Sequence, residues 1–460
     1  MNSETITVRM SRRAPGLGTG PRIFGLTPGS VVVALVLVLL TVWQFGGGAS
    51  ADFRAGWMAG RAFAEGRYDL IYPPHNGVYT MQPPIEWVAE LKAEGYKGLV
   101  YPFVYPPLWA WVAAQFAKIS DIGTLIRIAS ALNALMMVGT LALAHRLAAP
   151  RMSQTRFMLV GLGFFLVSAS GIIALYENQP QILVAFLTLL AIERTEHGNG
   201  KLGGAALALA ASLKLFPAVI ALIWIATGRR SAAVSFGLVG TALGLASILC
   251  AGWPLHREFL SVLGDISATS MMTRLNFSLE SAAAILFFSD QLQVITAAST
   301  LADPAAVGRF SVLSEPPMFH FCSNLMQVAG IITVLFLFRR AERTGSRDYI
   351  RASLWPSALT LLALTGPLAW SYYFIAPLAF VPSLIERAGR WIGTGALVLS
   401  ALLTSPFALS WIPFGATTLA KQGAICQLLG TAAFSLLAVL FLIGGTRTTS
   451  MWRRDQANGS

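Results

Sequence analysis

Asp52 stands a few residues after the first long apolar run, in Ala51-Asp52-Phe53-Arg54. A carboxylate at the edge of an apolar stretch is costly unless it meets a partner or a cavity. Burial there raises its proton affinity toward the range of a general base. Asp is also a favoured helix N-cap, and the two roles are compatible. Lys214 is the second conspicuous group, in Leu213-Lys214-Leu215-Phe216-Pro217. A lysine at bilayer depth costs about 2.5–3.5 kcal/mol, so it calls for a carboxylate such as Glu177 or an anionic ligand such as a phosphate. The alternative is that its long stem carries the ammonium out to the interface.

Other polar residues cluster where apolar runs end. Glu177-Asn178-Gln179-Pro180 marks a turn between two such runs. Three polar side chains there can cap helix ends or hydrogen-bond sugar hydroxyls. Gly66-Arg67-Tyr68-Asp69-Leu70-Ile71-Tyr72 is followed by Tyr105-Pro106-Pro107, which reads as a rigid turn with an aromatic at the interface. Arg274-Leu275-Asn276-Phe277-Ser278 offers a cation and two polar groups ahead of an apolar helix. Trp370-Ser371-Tyr372-Tyr373 supplies aromatics that serve either an interface belt or a sugar-stacking surface. His75, His256 and His320 lack the spacing of a zinc site, so no metal is expected. Cys250, Cys322 and Cys426 lie far apart with no CxxC and read as small core residues.

The elements that must position these groups are set by composition. The chain has 460 residues, 55% apolar and only 12% charged. Soluble domains carry roughly 25% charged residues. Apolar runs of about twenty residues recur along the whole chain, the mark of a multi-pass membrane protein. We read twelve spans, at about 28–46, 124–145, 157–175, 180–193, 202–213, 215–228, 232–251, 318–338, 351–367, 373–385, 391–410 and 424–444. The stretch 107–119 is apolar but short, carries Lys118, and is laid on the membrane surface. Residues 202–228 are too long for one span and are interrupted at Lys214–Pro217, so they read as a broken hairpin.

Lys and Arg outnumber Asp and Glu by 33 to 21, giving +12. The excess crowds into short loops at about 146–156, 339–351, 387–390 and 447–454, which the positive-inside rule places in the cytoplasm. Basic residues spread through such loops do not make a nucleic-acid face. The expected organisation is a basic cytoplasmic N-terminus over 1–27, a membrane domain over 28–444 and a cytoplasmic tail over 445–460. Two long outer segments, about 47–123 and 252–317, carry surface helices. The apolar run after Arg9, Arg12, Arg13 and Arg22 is too long for a removable signal peptide and reads as an anchor. No Gly-rich phosphate loop of the nucleotide-binding type is present. Group transfer on the outer face must therefore use a donor delivered through the lipid.

In their order along the chain, these motifs resemble glycosyltransferase family 87, the polyprenyl-phosphate-mannose-dependent mannosyltransferases of the GT-C fold class. The elements are a carboxylate after the first span, G-x-x-Y-D-x-x-Y, Y-P-P, the polar turn, L-K-x-x-P, N-x-S-L and a late W-S cluster. The resemblance implies an all-α, GT-C-like bundle of about twelve transmembrane helices in a bacterial inner membrane, with its active site on the outer face. It implies Asp52 as the catalytic carboxylate and Lys214, with Arg54 and Arg274, near the donor phosphate. Tyr105, Glu177, Asn178, Gln179, Asn276, Trp370, Tyr372 and Tyr373 would face sugar or acceptor. Glu177-Asn178-Gln179 stands where the family usually has Gly-Gln-x-Asn, and Tyr372-Tyr373 where histidines often follow the Trp-Ser pair. The implied partners are a polyprenyl phosphate sugar, a glycolipid or glycan acceptor and membrane lipid. The lipid-linked sugar is a substrate, and no cofactor is implied. A carrier or flippase for a lipid-linked sugar is the alternative from another class, although the chain lacks the repeated halves common in carriers.

Overall fold

The computed structural model describes residues 25–74, 77–117, 121–301, 308–406 and 419–457. The basic N-terminal residues up to 24, His75 and Lys118 lie outside that set. Helix α1 (Pro28–Phe45) starts with Thr27 accepting from the Ser30 amide and with Pro28 in its first turn, where a missing N–H costs nothing. Helices α2 (Ala51–Ala64), α3 (Ile85–Ala93) and α4 (Pro107–Ala117) follow, then the long α5 (Ile122–Ala148). Helices α2 and α4 approach closely at Gly60, where a Cβ would fall 2.7 Å from the backbone of Ala113.

Helices α6 (Gln154–Val167) and α7 (Ala169–Tyr176) meet at a 75° bend. The run read as one span over 157–175 is therefore broken. Ser168 is extended (φ −79°, ψ 149°), and the Ala169 amide bonds Thr404 O at 2.9 Å instead of continuing the helix. A tertiary hydrogen bond thus replaces a helical one. Helix α8 (Gln181–Glu196) packs on α9 (Gly200–Leu213), which ends where Lys214 turns extended (φ −141°, ψ 129°). A 3₁₀ turn over Phe216–Ala218 leads into α10 (Val219–Ala226). Helix α11 (Arg230–Ser267) breaks at Gly252, whose φ of 74° suits only glycine, just before Pro254. The part beyond the break joins a separate apolar core with α2, α3 and α4, centred on Trp87, Leu91, Phe103, Leu255 and Phe259.

The next segment departs from the all-helical expectation. Strands β1 (Thr269–Met272), β2 (Gln293–Thr296) and β3 (Arg309–Ser314) form an antiparallel sheet in the order β1-β3-β2, with Met271 opposite Val312 and Ile295 opposite Phe310. Val, Ile, Thr and Phe in short runs favour strand over helix in β2 and β3, and β1 pairs with β3 along its whole length. Between β1 and β2 lies α12 (Leu279–Phe287). The sheet is sewn to the chain between α2 and α4 through Tyr79 N to Thr269 Oγ1, Val100 N to Ala298 O and Gln82 Nε2 to Thr296 O, each 2.9 Å. Behind the sheet, Glu280 hydrogen-bonds Ser323 and Ser270 beside the Glu315–His320 pair. Burial, then the neighbouring Glu315 charge, pushes the Glu280 carboxyl up to about 9.

Helix α13 (Pro317–Thr344) returns through the bundle to the short α14 (Arg347–Tyr349). A π turn over Ile350–Leu354 leads to α15 (Trp355–Leu364), then a 3₁₀ turn over Ser371–Phe374. Helices α16 (Ile375–Leu378), α17 (Val381–Arg387) and α18 (Arg390–Leu403) precede α19 (Leu419–Ala457), which runs on past the expected span end at 444. The expected span 373–385 is divided between two short helices in a largely buried setting, with Pro377 inside the first and Pro382 in the first turn of the second.

Among the described residues, five helices are long and apolar enough to cross a membrane, and six if α6 and α7 count as one bent span. The five are α1, α5, α11, α13 and the 422–444 part of α19. The described parts of the remaining expected spans are shorter or interrupted helices, and residues 407–410 of the expected span 391–410 lie outside the described residues.

Candidate active site

Helix α2 begins without a side-chain cap of its own. Ser50 lies in the left-handed region (φ 43°), and its hydroxyl donates to Tyr176 O at 3.1 Å. The cap comes from far along the chain: Glu177 Oε2 accepts from the Asp52 amide at 3.3 Å and Glu177 also bonds the Ala51 amide. A carboxylate there satisfies two orphan amides and meets the positive end of the helix dipole. Asp52 is thus no cap, and its side chain is left for other work. Asn178 (φ 48°) locks the turn by donating to Ser50 Oγ at 2.9 Å and accepting from Ser130 and Asn133. Glu177 and Asn178 are buried anchors that line neither cavity described below.

Gln179 is the member of that turn that reaches the site. Its Oε1 accepts from the Tyr105 hydroxyl at 3.3 Å, and its side chain bonds the Asp52 carboxylate. Since a carboxylate only accepts, the amide nitrogen of Gln179 is the group that donates to it. Burial pushes the Asp52 carboxyl up to about 6, against the opposing pull of the Gln179 hydrogen bond and the Lys214 charge. Burial, then the Asp52 charge, pushes Glu177 up to about 8.

Lys214 sits at the break between α9 and the 3₁₀ turn, with its Nζ over three aromatic faces. The ring centroids lie 4.5 Å away for Tyr373, 5.0 Å for Tyr372 and 5.4 Å for Tyr105. Tyr372 and Tyr373 are held in place by the sheet segment. Ser371 N bonds Leu275 O at 2.7 Å, and Asn276 Oδ1 accepts from Ala369 N at 2.9 Å. The Asn276 amide also donates to Met271 O and Ser281 Oγ. Asn276 is therefore a buried clamp and is not brought to the site, contrary to its expected sugar-facing role.

Two cavities of about 300 and 290 Å³ meet at Asp52, Tyr105 and Leu213. The larger holds Lys214, Gln179, Trp370, Tyr372 and Tyr373, roofed by Tyr79 and Met81. The other runs between α2, α4 and α5, lined by Phe53, Trp57, Trp109, Phe116, Ile128 and Leu132. Ile128 and Leu132 are half exposed on an apolar helix long enough to cross a membrane, so this groove opens toward the lipid side.

Two expected phosphate contacts are placed elsewhere. Arg54 lies over the Tyr96 ring at 4.1 Å and donates to Ala49 O, lining neither cavity. Arg274 is exposed, with its backbone near Gly423 of α19. Tyr79 and Tyr101 are cavity residues that sequence reasoning missed. Tyr101-Pro102, four residues ahead of Tyr105-Pro106, was the available signal; Tyr79 had none. Among the described residues, no group of three or more His, Cys, Asp or Glu is arranged to hold a metal, and the three cysteines are free thiols.

A carboxylate with raised proton affinity, a caged ammonium and a lipid-facing groove can together hold an anionic amphiphile and accept a proton beside it. A family model described as glycosyltransferase family 87 matches residues 103–365, more than half of the chain. No curated protein matches it. The matched stretch contains Tyr105, Gln179 and Lys214, whereas Asp52, Trp370, Tyr372 and Tyr373 join them only in space.

Proposed function

The chain belongs to glycosyltransferase family 87, and from that premise we propose that this membrane glycosyltransferase moves a hexose from a polyprenyl phosphate sugar onto a glycolipid or glycan hydroxyl. Mannose is the first sugar to test. We take the twelve apolar segments as crossings of a bacterial inner membrane, with both cavities toward its outer face. The observation that carries the reading is the meeting of the two cavities at Asp52. One side offers a cation for the donor phosphate, and the other an apolar groove for an isoprenoid chain.

In this reading the donor lies with its phosphate at Lys214 and its anomeric carbon toward Asp52. The acceptor oxygen attacks that carbon from the face opposite the phosphate. The carbon–oxygen bond to phosphate breaks, and the phosphate leaves with the electron pair. Asp52 takes the acceptor's proton. One displacement inverts the anomeric centre, by the geometric logic of an inverting glycosidase with a sugar hydroxyl in place of water. A phosphate leaving group needs no general acid, and Lys214 stabilises the charge that develops on it. Gln179, fixed by Tyr105, keeps the Asp52 carboxylate aimed, since a misplacement of about 1 Å can cost a hundredfold.

The test supplies purified protein with several polyprenyl phosphate sugars plus membrane lipid extract and follows released polyprenyl phosphate. Release that depends on Asp52 and on one sugar supports the proposal. No release from any donor, with lipid-linked sugar instead crossing the bilayer of a proteoliposome, overturns it in favour of a carrier.

A further inference from the structure

An ammonium at this depth would ordinarily be matched by a carboxylate at ion-pair distance. Among the described residues, Lys214 has no such ion pair. Burial works against its charge and the Asp52 carboxylate supports it, while the ring faces under its ammonium are those of the three tyrosines. The difference matters chemically. An ion pair neutralises the cation and leaves little field for a third party. Ring faces stabilise the cation through their quadrupoles while leaving its net charge intact.

Each of the three rings is backed by another. Phe103 lies 5.5 Å from Tyr105, Trp370 stacks on Tyr372 at 6.2 Å, and Phe216 stacks on Tyr373 at 5.4 Å and 16°. Phe216 belongs to the same Leu213–Pro217 run as Lys214, so the motif that breaks the helix also braces the cage. We propose that the faces of Tyr105, Tyr372 and Tyr373 act as positioning residues that hold Lys214 as an unneutralised cation aimed at the phosphate of a polyprenyl phosphate ligand. The proposal rests on the donor class given above and reassigns Tyr372 and Tyr373 from sugar contact to support of the lysine.

The consequence is that ring faces matter and hydroxyls do not at positions 372 and 373. Farnesyl phosphate is the probe, because it carries the phosphate and isoprenoid but no sugar, and its binding needs no transfer step. Tyr373→Leu should weaken its binding about tenfold, in the range of one desolvated cation–π contact. Tyr373→Phe should recover most of that loss. In a Lys214→Gln background, Tyr373→Leu should cause less than about a twofold further change, since the ring then has no cation to hold. With an active donor, the same Leu variant should raise the donor KM and leave kcat within about threefold, as a ground-state phosphate contact requires. Thermal unfolding confirms that each variant is folded.

Equal weakening by Phe and Leu overturns the cage, as does a Tyr373→Leu loss that persists in full without Lys214. If farnesyl phosphate shows the expected coupling while no sugar is ever transferred, the cage stands and the glycosyltransfer reading falls. If transfer occurs and the coupling is absent, the reverse holds.

Discussion

The acid limb of kcat/KM reports on Asp52, because its surroundings set a limb near pH 6 that an ordinary carboxylate would not show, below the range near 8 where the neighbouring Glu177 takes up its proton. Burial holds its carboxyl at about 6 rather than the usual value near 3.8. A base works only when deprotonated, and kcat/KM reports the ionisation of the free enzyme. At pH 7.5 roughly 97% of Asp52 is ionised and at pH 5 roughly 9%, so kcat/KM should fall about tenfold across that interval. An unshifted carboxylate would remain above roughly 90% ionised at pH 5 and give almost no fall. A phosphodiester donor does not titrate in this window, so the limb belongs to the protein. Gln179→Leu removes the hydrogen bond that opposes the shift, and it should move the limb to higher pH. Asp52→Asn keeps the volume, leaves the Glu177 cap intact, and should lower transfer by about 100-fold or more with the limb gone. The assay is initial-rate release of polyprenyl phosphate in detergent from pH 5 to 8. A flat profile, or a limb that survives in Asp52→Asn, refutes the assignment of the base.

Three further outcomes follow from the packing and charge described above. Gly60→Ala should lower thermal stability by about 1–3 kcal/mol, because the new methyl meets the Ala113 backbone rather than a yielding side chain. Glu280 binds its proton in the folded state up to about pH 9 but in the unfolded chain only up to about 4.5, so the stability it contributes is lost as pH rises between those values. Its share of the loss from pH 5 to 7, read by thermal unfolding, is of order 2 kcal/mol, on top of the smaller or similar shares of Asp52 and Glu177, so Glu280→Gln should make the measured slope shallower by that amount without abolishing it. With Cys250, Cys322 and Cys426 replaced, a cysteine at the exposed Glu86 should react with an impermeant reagent outside the cell, and cysteines at the exposed Lys201 or Arg343 should not. Labelling at Lys201 from outside would invert the threading.

What the sequence determined by itself was local. The apolar runs, the break at Lys214–Pro217 and the end of a run at Gly252–Pro254 follow from hydropathy, a missing amide and a backbone angle, each written in a few adjacent residues. Asp52 and Lys214, which the fold brings to one cavity, stood out for the same reason: a charge beside a long apolar run is conspicuous wherever the chain later folds. The Ser168 bend was not legible, because the bond that makes it reaches Thr404. Nor was the division of labour in the 177–179 turn. Which residue caps α2 and which touches Asp52 depends on a helix 125 positions earlier in the chain. Arg54 and Arg274 had the right charge, but tertiary contacts turned one onto Tyr96 and left the other outside the cavity. The tyrosine cage lies furthest from sequence reading, since it gathers residues 105, 214, 372 and 373 around one nitrogen. Local chemistry selects which residues can serve, but only long-range packing brings them within the few ångströms over which an ammonium feels a ring or a carboxylate meets an amide.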